Sequence, residues 1–337
     1  MRAFVSGTGL IGASIGAALR ATGWIVGGWD PDPDAASQAL AMGAFDSVSP
    51  EPNFDGHDLV VLAGPVGAII ETVGTLESTG LVTDVAGVKS AVVRAASHLE
   101  RFIGGHPMAG RESSGPAAAS AAMFQGASWI LTSDGADDVD VTTMCEIVES
   151  LGAVPVIMTA ADHDSSIASV SHVPQVVASA LVNLVAGDDR ALTLAAGGFR
   201  DLTRIALSEP AWWADILTEN RGEVGLLIRA LGSELAEWAD RIEAGDGPAV
   251  MDALERARTS RRTLAAPVAA VNVLLEDRPG EIARVGQALA DSAADVRDLQ
   301  LRHATRGGGG VLTLSVRPGQ ERKLRQALES DGFRLVD

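Results

Sequence analysis

The segment GGHPMAG, at residues 104–110, contains the side chain of this chain best suited to proton transfer, His106. A neutral imidazole titrates close to neutral pH, so His106 is a candidate general acid or base. The segment follows an apolar run that predicts a strand, and open α/β sheets bind ligands beyond the carboxyl ends of their strands. A structural histidine that caps a loop is the alternative interpretation.

A glycine-rich turn near the N-terminus predicts a dinucleotide site. The run GTGLIG follows one predicted strand and opens a predicted helix. Gly7 permits a tight turn, Gly9 lets the backbone approach a pyrophosphate, and Gly12 allows close packing of helix on strand. Leu10 and Ile11 begin the helix, where free N–H groups favour an anion. Close helix–sheet packing without any ligand is the alternative.

Asp30 indicates which dinucleotide this site prefers. It ends the second predicted strand, at about the 20-residue distance from the glycine turn where an acidic side chain meets the ribose hydroxyls. Asp30 and Asp32 would repel a 2′-phosphate, and residues 31–34 contain no arginine to receive one. We therefore expect NAD as the cofactor. A solvated strand end is the alternative for Asp30.

The pattern of apolar runs predicts three domains. Residues 1–160 alternate seven strand-like runs with five helical stretches, which is typical of a Rossmann α/β domain with a parallel sheet. The fifth strand is predicted to end at Gly105, and the fourth helix is predicted to span residues 90–100. Residues 161–263 contain long helical patterns and predict an all-helical domain. Residues 268–337 follow the order βαββαβ, which is the ferredoxin-like arrangement.

Composition excludes several classes of protein. The chain has 337 residues with a formal net charge of -18, and such an acidic protein is a poor partner for nucleic acid. Cys145 is the only cysteine, which excludes an intrachain disulfide and favours a reducing cytoplasm. The longest apolar run, at residues 176–186, is shorter than the roughly 20 residues that a membrane span needs. We expect a soluble cytoplasmic protein without a membrane segment.

Five motifs together resemble prephenate and arogenate dehydrogenases. They are GTGLIG, DVAGVK at residues 84–89, GGHPMAG, SHVPQ at residues 171–175, and GGFRDLTRIA at residues 197–206. Their order and spacing also match, over about residues 1–262. The resemblance implies NAD-dependent oxidative decarboxylation of prephenate to 4-hydroxyphenylpyruvate, or of arogenate to tyrosine, in tyrosine biosynthesis. It also implies that the helical domain forms a homodimer.

The resemblance also implies roles for individual residues. His106 would be the general base that takes the proton of the C4 hydroxyl as hydride leaves C4 for the nicotinamide. Arg204 matches an arginine that holds a substrate carboxylate, and an interdomain salt bridge is the alternative. His172 and Glu112 are weaker candidates for substrate contact, and His172 could instead pack against the cleft.

Two residues depart from the family pattern. Gly87 stands where the family usually has a serine that helps to hold the reacting group and the catalytic histidine. Gly87 would then form a turn close to the nicotinamide, with a water or another hydroxyl in place of the serine. Gln175 stands where many prephenate-using members have histidine. Because glutamine bears no positive charge, it favours an amino acid over a keto acid and hence arogenate.

The C-terminal segment resembles the opening of an ACT domain, which binds free amino acids. The turn at Asp277, Pro279 and Gly280 would receive an effector such as tyrosine or phenylalanine, with the carboxylate at a helix N-terminus. The chain departs from the usual pattern at residues 294–296. The alternative is that this unit only joins subunits.

Two rival functions stay open at this point. A related two-domain dehydrogenase acting on a β-hydroxy acid would need a catalytic lysine in the helical domain, and residues 162–262 contain no lysine. A catalytically inactive sensor of NAD and amino acids is the second rival, because of Gly87 and Gln175. His163 lies between two aspartates, but we expect no metal there, since Asp162 and Asp164 suit a solvated helix start.

Overall fold

The computed structural model describes residues 1–109, 115–263, 269–276, 278–303 and 309–336. They form two compact units, Met1–Glu234 and Leu235–Asp337. Two of the predicted site residues, Glu112 and Asp277, lie outside the described residues.

The first unit is built on an eight-stranded sheet with the strand order β3-β2-β1-β4-β5-β6-β7-β8. Its strands are β1 (Arg2–Ser6), β2 (Ile25–Trp29), β3 (Ser47–Val48), β4 (Leu59–Leu62), β5 (Leu81–Asp84), β6 (Phe102–Pro107), β7 (Ser128–Thr132) and β8 (Val154–Met158). Neighbouring strands from β3 to β6 are parallel, whereas β7 is antiparallel to β6. The chain order reverses between β1 and β4, which is where such sheets bind dinucleotides.

Five helices cover the two faces of this sheet. They are α1 (Leu10–Ala21), α2 (Pro33–Ala41), α3 (Val66–Thr75), α4 (Ser90–Ala95) and α5 (Asp138–Ser150). Successive side chains of a strand point to opposite faces, and β4 shows the result. Leu59 and Val61 are buried in the core on one face, and Val60 and Leu62 in the core on the other.

Helices of 6 to 23 residues follow the sheet. They are α6 (Ala160–Ile167), α7 (Val173–Val185), α8 (Asp189–Leu194), α9 (Gly197–Thr203), α10 (Pro210–Glu219), α11 (Arg221–Glu243) and α12 (Gly247–Thr263). A π-helical turn, Ala168–His172, joins α6 to α7 without a break. Pro174 explains this turn, because its ring has no N–H to donate within a helix and clashes with the preceding turn.

The C-terminal residues form a separate four-stranded antiparallel sheet in the order β10-β11-β9-β12. Its elements are β9 (Ala269–Leu275), α13 (Glu281–Ser292), β10 (Val296–His303), β11 (Gly310–Val316), α14 (Glu321–Ser330) and β12 (Arg334–Val336). The predicted βαββαβ order is therefore confirmed for the described residues, and its buried side chains make a core of their own.

Predicted and observed elements of the first sheet agree with three exceptions. The two-residue strand β3 is missing from the prediction because it is too short for a pattern. The expected all-parallel arrangement is wrong at β7, and pairing with β7 extends β6 two residues beyond the predicted end at Gly105. Helix α4 ends at Ala95, five residues earlier than predicted.

Candidate active site

The three glycines of the N-terminal turn differ in what surrounds them. Gly7 has φ +99°, and a Cβ atom there would lie 2.3 Å from the Ala63 carbonyl oxygen. A Cβ at Gly12 would lie 1.9 Å from the Gly7 carbonyl oxygen. Gly9 faces open space and begins α1 without a side-chain cap. The turn therefore packs tightly at two glycines and leaves room for an anion at the third.

Asp30 lies beside this turn. Its carboxylate accepts hydrogen bonds from the Thr8 backbone N–H at 2.6 Å and from the Thr8 hydroxyl at 3.1 Å. It also accepts one from the Asp32 N–H at 3.0 Å. The half-buried carboxylate is thus fixed at the end of β2, next to the glycine turn, where an NAD ribose would lie.

His106 lies inside β6, opposite Ile130 of β7. Its Nδ1 atom is 2.9 Å from Nε2 of His163, and Nδ1 of His163 is 2.8 Å from Oδ1 of Asp164. Burial lowers the pKa of His106 well below 6.5, and the nearby His163, Lys89 and His172 add to the effect. The imidazole of His106 is therefore neutral near pH 7 and able to accept a proton.

Asp164 joins α6 to the start of α4. It accepts hydrogen bonds from the backbone N–H groups of Lys89 at 2.7 Å and Ser90 at 2.8 Å. Burial opposes its charge, but hydrogen bonds from His163, Lys89 and Ser90 outweigh burial and lower its pKa to about 2. The expectation that Asp164 is solvated at a helix start is wrong, because its exposed fraction is only 4%.

Lys89 supports the strand that carries His106. Its ammonium group is fully buried, pairs with the equally buried Asp84 and donates to the Gly105 carbonyl oxygen at 2.7 Å. Asp84 also accepts from the Gly105 N–H at 3.2 Å. The residue before His106 is therefore held through both of its backbone polar groups.

Gly87 lies against the ring of His106. A Cβ atom built on Gly87 would be 3.6 Å from both Cε1 and Nε2 of that ring. This places the turn after β5 at the edge of the imidazole that does not face His163. The predicted proximity of Gly87 to the reacting centre is consistent with this geometry.

The predicted substrate residues His172 and Gln175 both lie buried in the helical region. Nδ1 of His172 is 3.2 Å from Nδ2 of Asn220, which also donates to the Asp164 carbonyl oxygen. Burial lowers the pKa of His172 to about 4. Gln175 is 5% exposed, and its side-chain oxygen has no hydrogen-bond partner among the described residues.

Arg204 is exposed at the first residue of a 3₁₀ turn, Arg204–Leu207, that follows α9. This turn packs against α7, the helix of Gln175. Gly87 thus lies against His106, His172 is joined to Asp164 through Asn220, and Arg204 is on an element that packs against α7.

Sequence reasoning gave His163, Asp164 and Asn220 no role in the site, and it included Lys89 only as part of the DVAGVK motif. The sequence does contain a signal for His163 and Asp164: they come just before the SHVPQ motif on one continuous helix, which places them near the predicted substrate residues. Among the residues that the structure describes, no group of three His, Cys, Asp or Glu side chains is arranged to hold a metal ion.

The continuous helix of α6, the π-helical turn and α7 spans 26 residues with mean hydropathy 1.4, and its length and composition suit a membrane span. The apolar run at residues 176–186 therefore lies largely within a longer apolar helix, which continues through Pro174. Yet His163, Asp164, His172 and Gln175 on this helix are buried within the protein.

Comparison with known proteins agrees with the geometry. The family description "Prephenate dehydrogenase, nucleotide-binding domain" matches residues 15–157, and "Prephenate dehydrogenase, dimerization domain" matches residues 159–256. The prephenate dehydrogenase of Lactococcus lactis is 31% identical over 279 residues, which is 77% of this chain and 76% of that protein.

Two solved structures share the fold. Prephenate dehydrogenase from Aquifex aeolicus, in complex with hydroxyphenyl propionate and NAD+, is 29% identical with a TM-score of 0.73, over 79% of this chain and 98% of that one. Synechocystis arogenate dehydrogenase is 28% identical with a TM-score of 0.69, over 79% of this chain and 100% of that one. The chain therefore contains an NAD-binding Rossmann domain followed by a helical dimerisation domain, and it belongs to the prephenate dehydrogenase family.

Proposed function

We propose that this NAD-dependent dehydrogenase oxidatively decarboxylates prephenate or arogenate, with His106 as the general base. The position of His106 carries this proposal. Its ring lies near the carboxyl end of β6, against Gly87 of the turn that follows β5. Strand β4 is two strands away in the same sheet, and its carboxyl end packs against the glycine turn.

The residues have separate tasks in this reaction. Gly7, Gly9, Leu10, Ile11 and Gly12 form the turn for the pyrophosphate, with Asp30 at the ribose. Bound NAD would accept the hydride that leaves C4 of the ring. His106 takes the proton of the C4 hydroxyl, so that the developing carbonyl forms while carbon dioxide leaves C1. Arg204 binds a substrate carboxylate through its paired N–H donors.

Turnover tests the function directly. The purified protein is incubated with NAD and either prephenate or arogenate, and NADH absorbance is recorded. Absence of NADH with both substrates would favour an inactive sensor. With turnover present, His106→Asn lowers kcat by about 10²–10⁴-fold and leaves NAD affinity unchanged. The matched control is His98→Asn, since His98 is exposed and hydrogen-bonds to the Leu76 carbonyl oxygen, and this change should leave kcat unchanged.

We also propose that the enzyme prefers arogenate. The unpaired side-chain oxygen of buried Gln175 supports this preference, because an acceptor without a donor is costly and an ammonium group supplies one. Gln175→His removes this acceptor and introduces a possible cation. The ratio of kcat/KM for arogenate to that for prephenate should fall at least tenfold, which corresponds to about 1.4 kcal/mol. An unchanged ratio would contradict the preference.

The helical domain forms the homodimer. Large apolar side chains stay exposed on its helices, and such surfaces mark contacts between proteins. They include Leu184, Leu194, Leu202, Leu207 and Trp212. Light scattering on the purified chain should give twice the mass of 34.7 kDa.

We propose 1–160, 161–263 and 268–337 as the limits of the three domains.

We further propose that the C-terminal sheet is an ACT-like domain that binds an aromatic amino acid. A cavity of about 450 Å³ beside its first helix supports this. Pro279, Gly280 and Arg278 line the cavity, and Gly280 begins α13 with φ +91° and no side-chain cap. The free N–H groups of α13 would receive the carboxylate. Isothermal titration with tyrosine and with phenylalanine tests this, and no heat with either contradicts it.

A further inference from the structure

We propose that His163 is a positioning residue that fixes the tautomer of His106, so that Nε2 of His106 carries the lone pair that accepts the substrate proton. This inference rests on the proposed function, in which His106 is the general base. His163 is buried, and its role would be to orient the lone pair of His106.

The hydrogen-bond chain starts at Asp164. Its ionised carboxylate can only accept hydrogen bonds, and the backbone N–H groups of Lys89 and Ser90 hold it in place. Nδ1 of His163 lies 2.8 Å from Oδ1 of this carboxylate and must therefore carry its hydrogen. In its neutral form, the imidazole of His163 has one N–H, and Nε2 of His163 is then left as an acceptor.

The second contact transfers this choice to His106. Nε2 of His163 lies 2.9 Å from Nδ1 of His106, and a contact between two ring nitrogens needs one donor. Because His163 accepts, Nδ1 of His106 donates, and Nε2 of His106 has the free lone pair. This Nε2 is the atom that faces Gly87, at 3.6 Å from a Cβ built there.

The chain is anchored independently of any substrate. His163 is fully buried, and Asp164 is 4% exposed. Asn220 donates to the Asp164 carbonyl oxygen at 2.8 Å, and Lys89 donates to the Gly105 carbonyl oxygen just before His106. Backbone and ring of His106 are thus both fixed. A fixed, correctly protonated base saves the free energy of arranging it in the transition state.

Nitrogen-15 NMR on histidine-labelled protein tests the tautomer without any turnover. In the wild-type protein, the ring of His106, assigned by its loss in His106→Asn, should show a protonated Nδ1 and an unprotonated Nε2. In His163→Phe, which keeps a ring but has no acceptor, both tautomers of His106 should appear. kcat should fall about 10²-fold, with NAD affinity unchanged.

Two further variants separate positioning from folding. His163→Gln keeps an acceptor oxygen toward His106 and an N–H toward Asp164, so it should restore the single tautomer and most of kcat. His98→Phe, the matched control, should change neither. The proposal would be overturned if His106 of the wild-type protein were protonated at Nε2. It would also be overturned if His163→Phe changed neither the tautomer of His106 nor kcat. If His163→Phe fails to fold, the wild-type and His163→Gln spectra decide. Absent turnover contradicts only the proposed function, since the spectra report the tautomer by themselves.

Discussion

Gly87 leaves the free edge of the His106 ring uncovered: a Cβ atom at Gly87 would lie 3.6 Å from Cε1 and Nε2 of that ring, which is an ordinary van der Waals distance. A small side chain therefore fits at this position without moving the imidazole. Gly87 is the residue at which this chain departs from the serine usual in the family that it resembles, so the departure is open to a direct experiment.

Gly87→Ser should raise kcat several-fold, because its hydroxyl would lie beside Nε2 of His106 and could hold the C4 oxygen of the substrate next to that atom. Gly87→Ala is the matched control, since it adds the same carbon without the hydroxyl, and it should leave kcat within about twofold. Steady-state NADH formation measures both. Equal effects of the two substitutions would show that the hydroxyl has no part in holding the reacting group of the substrate.

The glycines of the N-terminal turn should respond in opposite ways to added side chains. Gly9→Val should leave the thermal midpoint unchanged and raise the KM for NAD at least tenfold, because the new side chain occupies the open space meant for the anion. Gly12→Ala should lower the midpoint by several degrees, since its Cβ would lie 1.9 Å from the Gly7 carbonyl oxygen. Calorimetry and NAD titration on both variants test this contrast.

The pH profile of kcat/KM follows from the lowered pKa of His106. Burial and the neighbouring His163 place this pKa well below 6.5, so the base is unprotonated from pH 6.5 upward. Activity should therefore be flat from pH 6.5 to about pH 8 and should fall only as the pH drops through the lowered pKa. A profile measured in buffers of constant ionic strength checks this. Half-maximal activity at or above pH 6.5 would contradict the assignment.

The buried pair of Lys89 and Asp84 should be costly to break. Lys89→Met leaves the Asp84 carboxylate buried without its partner, which should lower the free energy of unfolding by about 3–5 kcal/mol. Arg20→Met at the pair of Arg20 and Asp46, whose side chains are each about one third exposed, is the control and should cost at most about 1 kcal/mol. Urea denaturation gives both values. Similar losses would show that burial of the Lys89 pair is not decisive.

The sequence by itself determined the features that depend on local pattern. The glycine turn, the strand and helix on either side of it, and Asp30 could be predicted because their residues are close in the chain and each follows a short-range rule. The same holds for the βαββαβ order of the C-terminal sheet, which alternation and helical periodicity predict. His106 could be singled out because a distinctive motif surrounds it.

Only the tertiary structure decided what surrounds His106. The local sequence around His163 predicts a solvated helix start, yet His163 and Asp164 are buried. The reason is that α6 packs against α4, so that Asp164 accepts hydrogen bonds from the backbone of Lys89 and Ser90, some 75 residues away in the chain. Burial and hydrogen bonds between distant segments determine which of these side chains are charged. Neither leaves a short-range pattern in the sequence. The direction in which His106 offers its lone pair is therefore a property of the folded chain.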